Sequence, residues 1–162
     1  MTDVAMINEM ARMQSQLDAD LLEKGKQLGK IEKYDLEREK IALIDELGEL
    51  VHELKGNWCW WKATQKPVDQ AKVLEELVDC WHFVLSTRTY AGVNCEYINY
   101  DRIRKLSVEL PCSVLITNII DRPCTYDYII ALSYYLHFTI TDVYNEYIRK
   151  NKINYERIAS GY

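Results

Sequence analysis

The chain has 162 residues, 48% of them hydrophobic, which suits one domain with a sizeable core and excludes a disordered composition. Its formal net charge of −5 excludes nucleic-acid binding through a general basic field, while leaving room for a small anion held by a local basic cluster. With 6 Gly and 3 Pro it has too few turn residues for an all-β fold, and 5 Cys without a C-x-x-C pair fit buried thiols in a reducing cytosol better than disulfides or a zinc ribbon.

No apolar segment follows Asp3 and Glu9, so no signal peptide is expected. No stretch approaches the roughly 20 apolar residues of a membrane span, so the expected location is cytoplasmic. Residues 3 to 28 carry Ile7, Met10, Met13 or Gln14, Leu17 and Leu21 at helical spacing, loosened by Gly25 and Gly29. A second helix is expected from an Asp35 N-cap to a Gly56 stop, with Ile44, Leu47, Leu50, Val51 and Leu54 as its apolar stripe. "NWCWWKATQK" reads as a loop, and Pro67 opens a third helix that runs to about Ala91. Asp101 to Leu110, 112 to 121, 125 to 138 and 141 to 160 follow. Val114 to Ile120 suits a strand by composition, but its helical neighbours favour a buried helix. The expected architecture is a single all-α domain over 1–162, a bundle of about six helices with short connections.

Acidic pairs recur on successive helices. Glu46 and Glu49 are three apart on the second, and Glu76 and Asp79 on the third, so each pair shares a helix face. Two packed helices would bring the pairs together, and four facing carboxylates repel unless a hard divalent cation joins them. Oxygen-only ligands suit Mg²⁺, with Mn²⁺ as a substitute. Exposed Glu pairs are also ordinary on solvated helix faces. Phe83 falls on the face of Glu76, Asp79 and His82, where a solvated surface has no use for it, and an aromatic beside carboxylates suits a nucleoside pocket with a metal–phosphate end. Trp58, Trp60 and Trp61 are equally suited to stacking on a base or to plugging a core. Lys150, Asn154 and Arg157 share one face of the last helix, either as a phosphate grip or as a solvated basic face near a helix C-terminus.

Taken in order, these segments resemble the dimeric all-α dUTP diphosphatases among the MazG-like nucleotide pyrophosphohydrolases. The matching runs are "ELGE" at 46 to 49, "ELVD" at 76 to 79, Trp58-Cys-Trp-Trp61-Lys62, "VDCWHF" at 78 to 83, "MQSQLD" at 13 to 18 and "KNKINYERIASGY" at the C-terminus. The resemblance implies Mg²⁺-dependent hydrolysis of dUTP to dUMP and pyrophosphate in a homodimer, with Glu46, Glu49, Glu76 and Asp79 as metal ligands. One glutamate of the first pair would also orient the attacking water. It places Gln14, Asp18, Trp61, His82 and Phe83 around the nucleoside, with Trp61 stacking on the base. Lys150, Asn154, Arg157 and Tyr162 fall on the phosphates. Two positions depart from the family pattern: Asp18 stands where it has Asn, and Ile158 where it has Gln. An ionised Asp only accepts, whereas an amide both donates and accepts, so dCTP is the alternative substrate.

Two other classes remain. Glu49-x-x-His52 and Asp79-x-x-His82 are spaced like the Glu-x-x-His pairs of di-iron bundles. A non-catalytic helical adaptor would need none of these side chains for chemistry.

Overall fold

The structure is a computed structural model that describes residues 1–122 and 125–161. Those residues form eight helices and no strand: α1 (Asp3–Gln27), α2 (Leu36–Glu53), α3 (Lys55–Trp58), α4 (Gln70–Tyr90), α5 (Tyr100–Glu109), α6 (Cys112–Asp121), α7 (Tyr126–Tyr135) and α8 (Ile140–Ala159). The all-α class expected from the periodicity holds, and 112 to 121 is helical. The helix number exceeds the six expected, in part because α3 is a single turn inside the stretch assigned to the end of the second helix and the tryptophan loop.

Side-chain caps set most of the helix starts. Thr2 accepts from Ala5 N, Asp35 from Glu37 N and Arg38 N, and Asn99 from Arg102 N. Thr139 and Asp142 close a capping box at α8. Asp69 accepts from Ala71 N at 3.0 Å and so starts α4 at Gln70, three residues beyond the start expected at Pro67. Gly56 likewise does not stop α2, which ends at Glu53; it sits within α3. A Cβ there would lie 2.7 Å from the Lys66 carbonyl oxygen, so glycine is what lets the 66–68 segment pass close by.

α4 lies at the centre, packed against α1, α2, α7 and α8, while α5 and α6 pack on α7. Val73, Leu77, Val78, Trp81 and Leu85 are fully buried on it, and its C-terminal half buries His82, Ser86, Thr87 and Arg88 as well, so it is enclosed nearly all round. The second helix packs through Leu43, Leu47, Leu50 and Leu54 rather than through Ile44, which is 48% exposed. In α1, Gln14 rather than Met13 takes the core-facing position, and Leu21 is exposed. No described helix is long and apolar enough to cross a membrane.

Trp81, at the middle of α4, donates its indole N–H to Ser133 Oγ on α7 at 3.1 Å, and Ser133 Oγ donates on to the Ile129 carbonyl. Ser133→Ala leaves that buried N–H without an acceptor and is expected to cost about 1–3 kcal/mol, or roughly 2–4 °C of Tm per kcal/mol for a chain of this size. Thermal unfolding checks it. In a Trp81→Phe background the same change should cost markedly less, and an undiminished cost there would disprove the coupling.

Candidate functional site

α2 and α4 each carry one acidic pair to the same place. Carboxylate oxygens of Glu46, Glu49 and Glu76 lie within 4.8 Å of one another. Asp79, one turn on from Glu76, is turned toward α8, where it accepts from Lys150 Nζ at 2.5 Å. Lys150 also reaches Glu75 at 3.2 Å, and Arg149 links Glu75 to Glu146. Three of the four acids picked from the sequence thus face one another, and the fourth faces a cation that is only 9% exposed.

Close approach of like charges in a half-buried place shows in their proton affinities. Burial, then the charges of Asp79, Glu49 and Glu76, push Glu46 up to about 7. Glu76 is raised by burial and then by Asp79 and Glu49. Burial raises Asp79 too, against the pull of Lys150. Burial works against the charge on Lys150, yet its bonds to Asp79 and Glu75 outweigh that and hold it firmly protonated. The cluster is made of hard oxygen donors alone, and one ammonium does not neutralise it. This donor set fits a divalent cation.

The acids open onto a cavity of about 280 Å³. Glu46 and Asp79 line it, together with Asn154 and Arg157 of α8. Gln14, Asp18, His82 and Phe83 line the rest. A larger hollow of about 560 Å³, beside Arg88 and the 92–97 segment, shares no residue with the carboxylate cluster.

Gln14 organises the apolar end. Its Nε2 donates to Asp18 Oδ1 at 2.6 Å. Its Oε1 accepts from the Tyr147 hydroxyl at 2.8 Å and faces His82 Nδ1 at 2.7 Å. The His82 ring stacks on Tyr147 and is 6% exposed, although the helical period placed it with the acids on the polar face of α4. Burial, reinforced by the charge of Lys150, lowers its pKa to about 3, so the ring is neutral. An acceptor opposite Nδ1 fixes the proton there, and Nε2, which has no partner, becomes a lone-pair acceptor.

Trp61 is not among the residues that line the cavity. It is 59% exposed and packs at an angle against Trp58 and Trp60, in a cluster that is neither a core plug nor, as placed here, a stack over the cavity. The Trp58 indole is spent on the Val51 carbonyl. Tyr162 lies outside the described residues. Three residues that the sequence reading did not select also belong here: Tyr147, Ser86, whose hydroxyl donates to Asp18 Oδ2 at 2.7 Å, and Glu39, which lines the cavity from α2. Glu39 had a signal, because seven residues separate it from Glu46 and two helical turns put both on one face.

In the metal-free protein Glu46 holds a proton up to about pH 7, whereas the unfolded chain loses it near 4.5. The native state therefore binds the extra proton in that window, and stability falls as pH rises through it. His82 acts with the opposite sign, and its contribution is lost as pH falls from 6.5 toward 3. Glu46→Gln fixes the neutral form. In EDTA it is expected to raise stability by about 1 kcal/mol near pH 8, allowing for solvent screening, and to change little near pH 4.5. Thermal unfolding at both pH values is the check, and an unchanged Tm at the higher one would show that the cluster carries no such strain.

No curated protein matches the chain significantly. The family model described as dUTPase matches residues 6–162, nearly the whole of it. With an all-helical fold and that match over nearly its whole length, the chain belongs to the dUTPase family and is an enzyme of the dUTP diphosphatase type.

Proposed function

We propose that this chain is a single-domain, Mg²⁺-dependent dUTP diphosphatase that cleaves dUTP to dUMP and pyrophosphate. The observation that carries the reading is the double position of Glu46, which belongs both to the carboxylate cluster and to the wall of the cavity that holds His82 and Phe83. Metal end and base end are thereby adjacent. Glu46, Glu49, Glu76 and Asp79 would hold the ion, with Mn²⁺ able to replace Mg²⁺. When bound, such an ion neutralises phosphate charge and acidifies a water. Water adds across the linkage between the α- and β-phosphates, and a glutamate of the Glu46–Glu49 pair orients that water and takes its proton. Asn154, Arg157 and Lys150 hold phosphate oxygens, with Tyr162 as a further contact. Phe83 and His82 enclose the base, and Gln14 fixes the ring that does so.

The exposed Trp58, Trp60 and Trp61, together with Ile41 and Ile44 on the outer face of α2, support a homodimer whose second copy covers them. Trp61 would then close over the base once the nucleotide is seated. The free thiols of Cys59, Cys80 and Cys95, all buried, suit the reducing cytosol. dCTP is the second reading, favoured by the carboxylate of Asp18 where an amide would read uracil. The cluster of Glu46, Glu49 and Glu76 contains no histidine among the described residues, so the di-iron reading lacks its nitrogen ligands there.

Pyrophosphate release from dUTP, dCTP, dTTP, dATP, dGTP and UTP, with Mg²⁺ and with EDTA, tests this. Selective, metal-dependent turnover of dUTP is expected. Glu49→Ala should lower it by at least about 100-fold with helicity intact, since even outer contacts of a metal site cost 10–100-fold. Turnover in EDTA, or full activity of Glu49→Ala, would reject the metal assignment.

A further inference from the structure

Lys150 reaches across from α8 and bonds two acids of α4 at once. Its Nζ donates to Asp79 Oδ2 at 2.5 Å and to Glu75 Oε1 at 3.2 Å. Those acids are four apart in the chain, so they are neighbours along one side of α4, with the ammonium between them. Lys150 is buried, and a buried cation left without a partner is strongly destabilising. Glu75 is itself held in place, because Arg149 bonds it at 3.3 Å and bonds Glu146 as well.

The two acids differ in where they stand. Asp79 lines the cavity together with Glu46, whereas Glu75 lies outside the cavity wall. Among the described residues, the group whose carboxylate oxygens lie within 4.8 Å of one another is Glu46, Glu49 and Glu76, and Asp79 stands beside that group rather than in it. It is nonetheless close, one helical turn on from Glu76, and its charge weighs on both Glu46 and Glu76. The fourth carboxylate of the site is thus engaged by an internal cation, and that cation has a second acid to rest on.

We propose that Lys150 is a positioning residue that competes with the divalent cation for Asp79, while Glu75 keeps the ammonium paired once Asp79 turns to the ion. This rests on the metal reading given above and deepens it. An ammonium and a divalent cation on one carboxylate repel each other, so Asp79 joins the glutamates only as its bond to Lys150 lengthens or breaks. That bond is charge-assisted, and breaking it weakens the protein's hold on the bare ion. A purely structural ion pair acts in the opposite sense, since losing Lys150 would then leave Asp79 unsupported and the site poorer.

The experiment is calorimetric titration of Mn²⁺ alone into the full chain, at one pH and one ionic strength, for wild type, Lys150→Met, Asp79→Asn and the double variant. Lys150→Met is expected to bind Mn²⁺ about tenfold more tightly than wild type, the size of one charge-assisted hydrogen bond. In the Asp79→Asn background the same change should give a much smaller gain. Unchanged or weaker binding by Lys150→Met overturns the proposal, and so does an equal gain in both backgrounds, which would be the field of the lysine charge alone. Wild type gives a second measurement should Lys150→Met fail to fold. Exchange of the Lys150 ammonium protons with solvent, followed by nitrogen-15 NMR, should quicken when Mg²⁺ saturates the site, and unchanged exchange overturns the proposal. Binding of Mn²⁺ by wild type with no gain in Lys150→Met sinks this inference alone, whereas no Mn²⁺ bound by any of the four proteins sinks the metal reading along with it.

Discussion

Three glutamates with oxygens within 4.8 Å of one another are the constraint around which this structure is arranged. Like charges so close in a half-buried place repel, and burial adds to the cost, which is why Glu46 keeps its proton up to about 7. A chain tolerates that only if the backbone carrying the charges cannot swing apart. α4 meets the condition because α1, α2, α7 and α8 surround it and because Trp81, the largest of its fully buried side chains, ties it to Ser133 of α7. α2 meets it through Leu43, Leu47 and Leu50, which lock its inner face while Glu46 and Glu49 ride at the edge. The core therefore does more than stabilise the fold. It holds the repulsion in place, which is what gives a cation a prepared site.

The two ends of the cavity solve the problem of buried polarity in different ways. At the acidic end, charge is compensated by charge, with Lys150 between Asp79 and Glu75. Around Asp18 and His82 it is compensated by neutral donors: Gln14 and Ser86 bond the two oxygens of Asp18, and the same Gln14 fixes the tautomer of His82. A glutamine suits this hub because its oxygen takes two donors while its nitrogen supplies one. The division separates the sites chemically along one helix. Asp79 and His82 are a single turn apart on α4, yet one faces an ammonium and the other a carboxamide.

Much of this was legible in the sequence because helices have one period and caps have few residue types. Asp35 could be named as an N-cap, and the two acidic pairs placed on facing helices, from spacing alone. What escaped follows from tertiary context. Pro67 lost the start of α4 to Asp69, since a carboxylate that captures a free N–H outweighs a fixed φ. Ile44 was taken for core because the helical stripe has a breadth that spacing does not fix. His82 was put among solvated groups because the wheel reports direction, not what lies there, and what lies there is Tyr147, 65 residues further along the chain. Glu39 was overlooked although two helical turns put it on the face of Glu46, because spacing along α2 does not tell that other helices close a cavity over that face.

Net charge is a poor guide to what such a site binds. A chain at −5 with an acidic cluster would repel a triphosphate if the whole field counted, but exposed charges are screened beyond about 8 Å at physiological salt. Within that radius the balance is local and depends on occupancy. α8 supplies Arg157 to the wall of the cavity and Lys150 to Asp79 and Glu75, and the capping box at its start and the buried Tyr147 hold the helix in position. A divalent cation on the glutamates would turn that anionic patch into an attraction for phosphate. The acidity that makes the empty cluster unfavourable would then favour a ligand that arrives with its metal, whereas a more basic site would hold phosphate tightly with no ion to act on it.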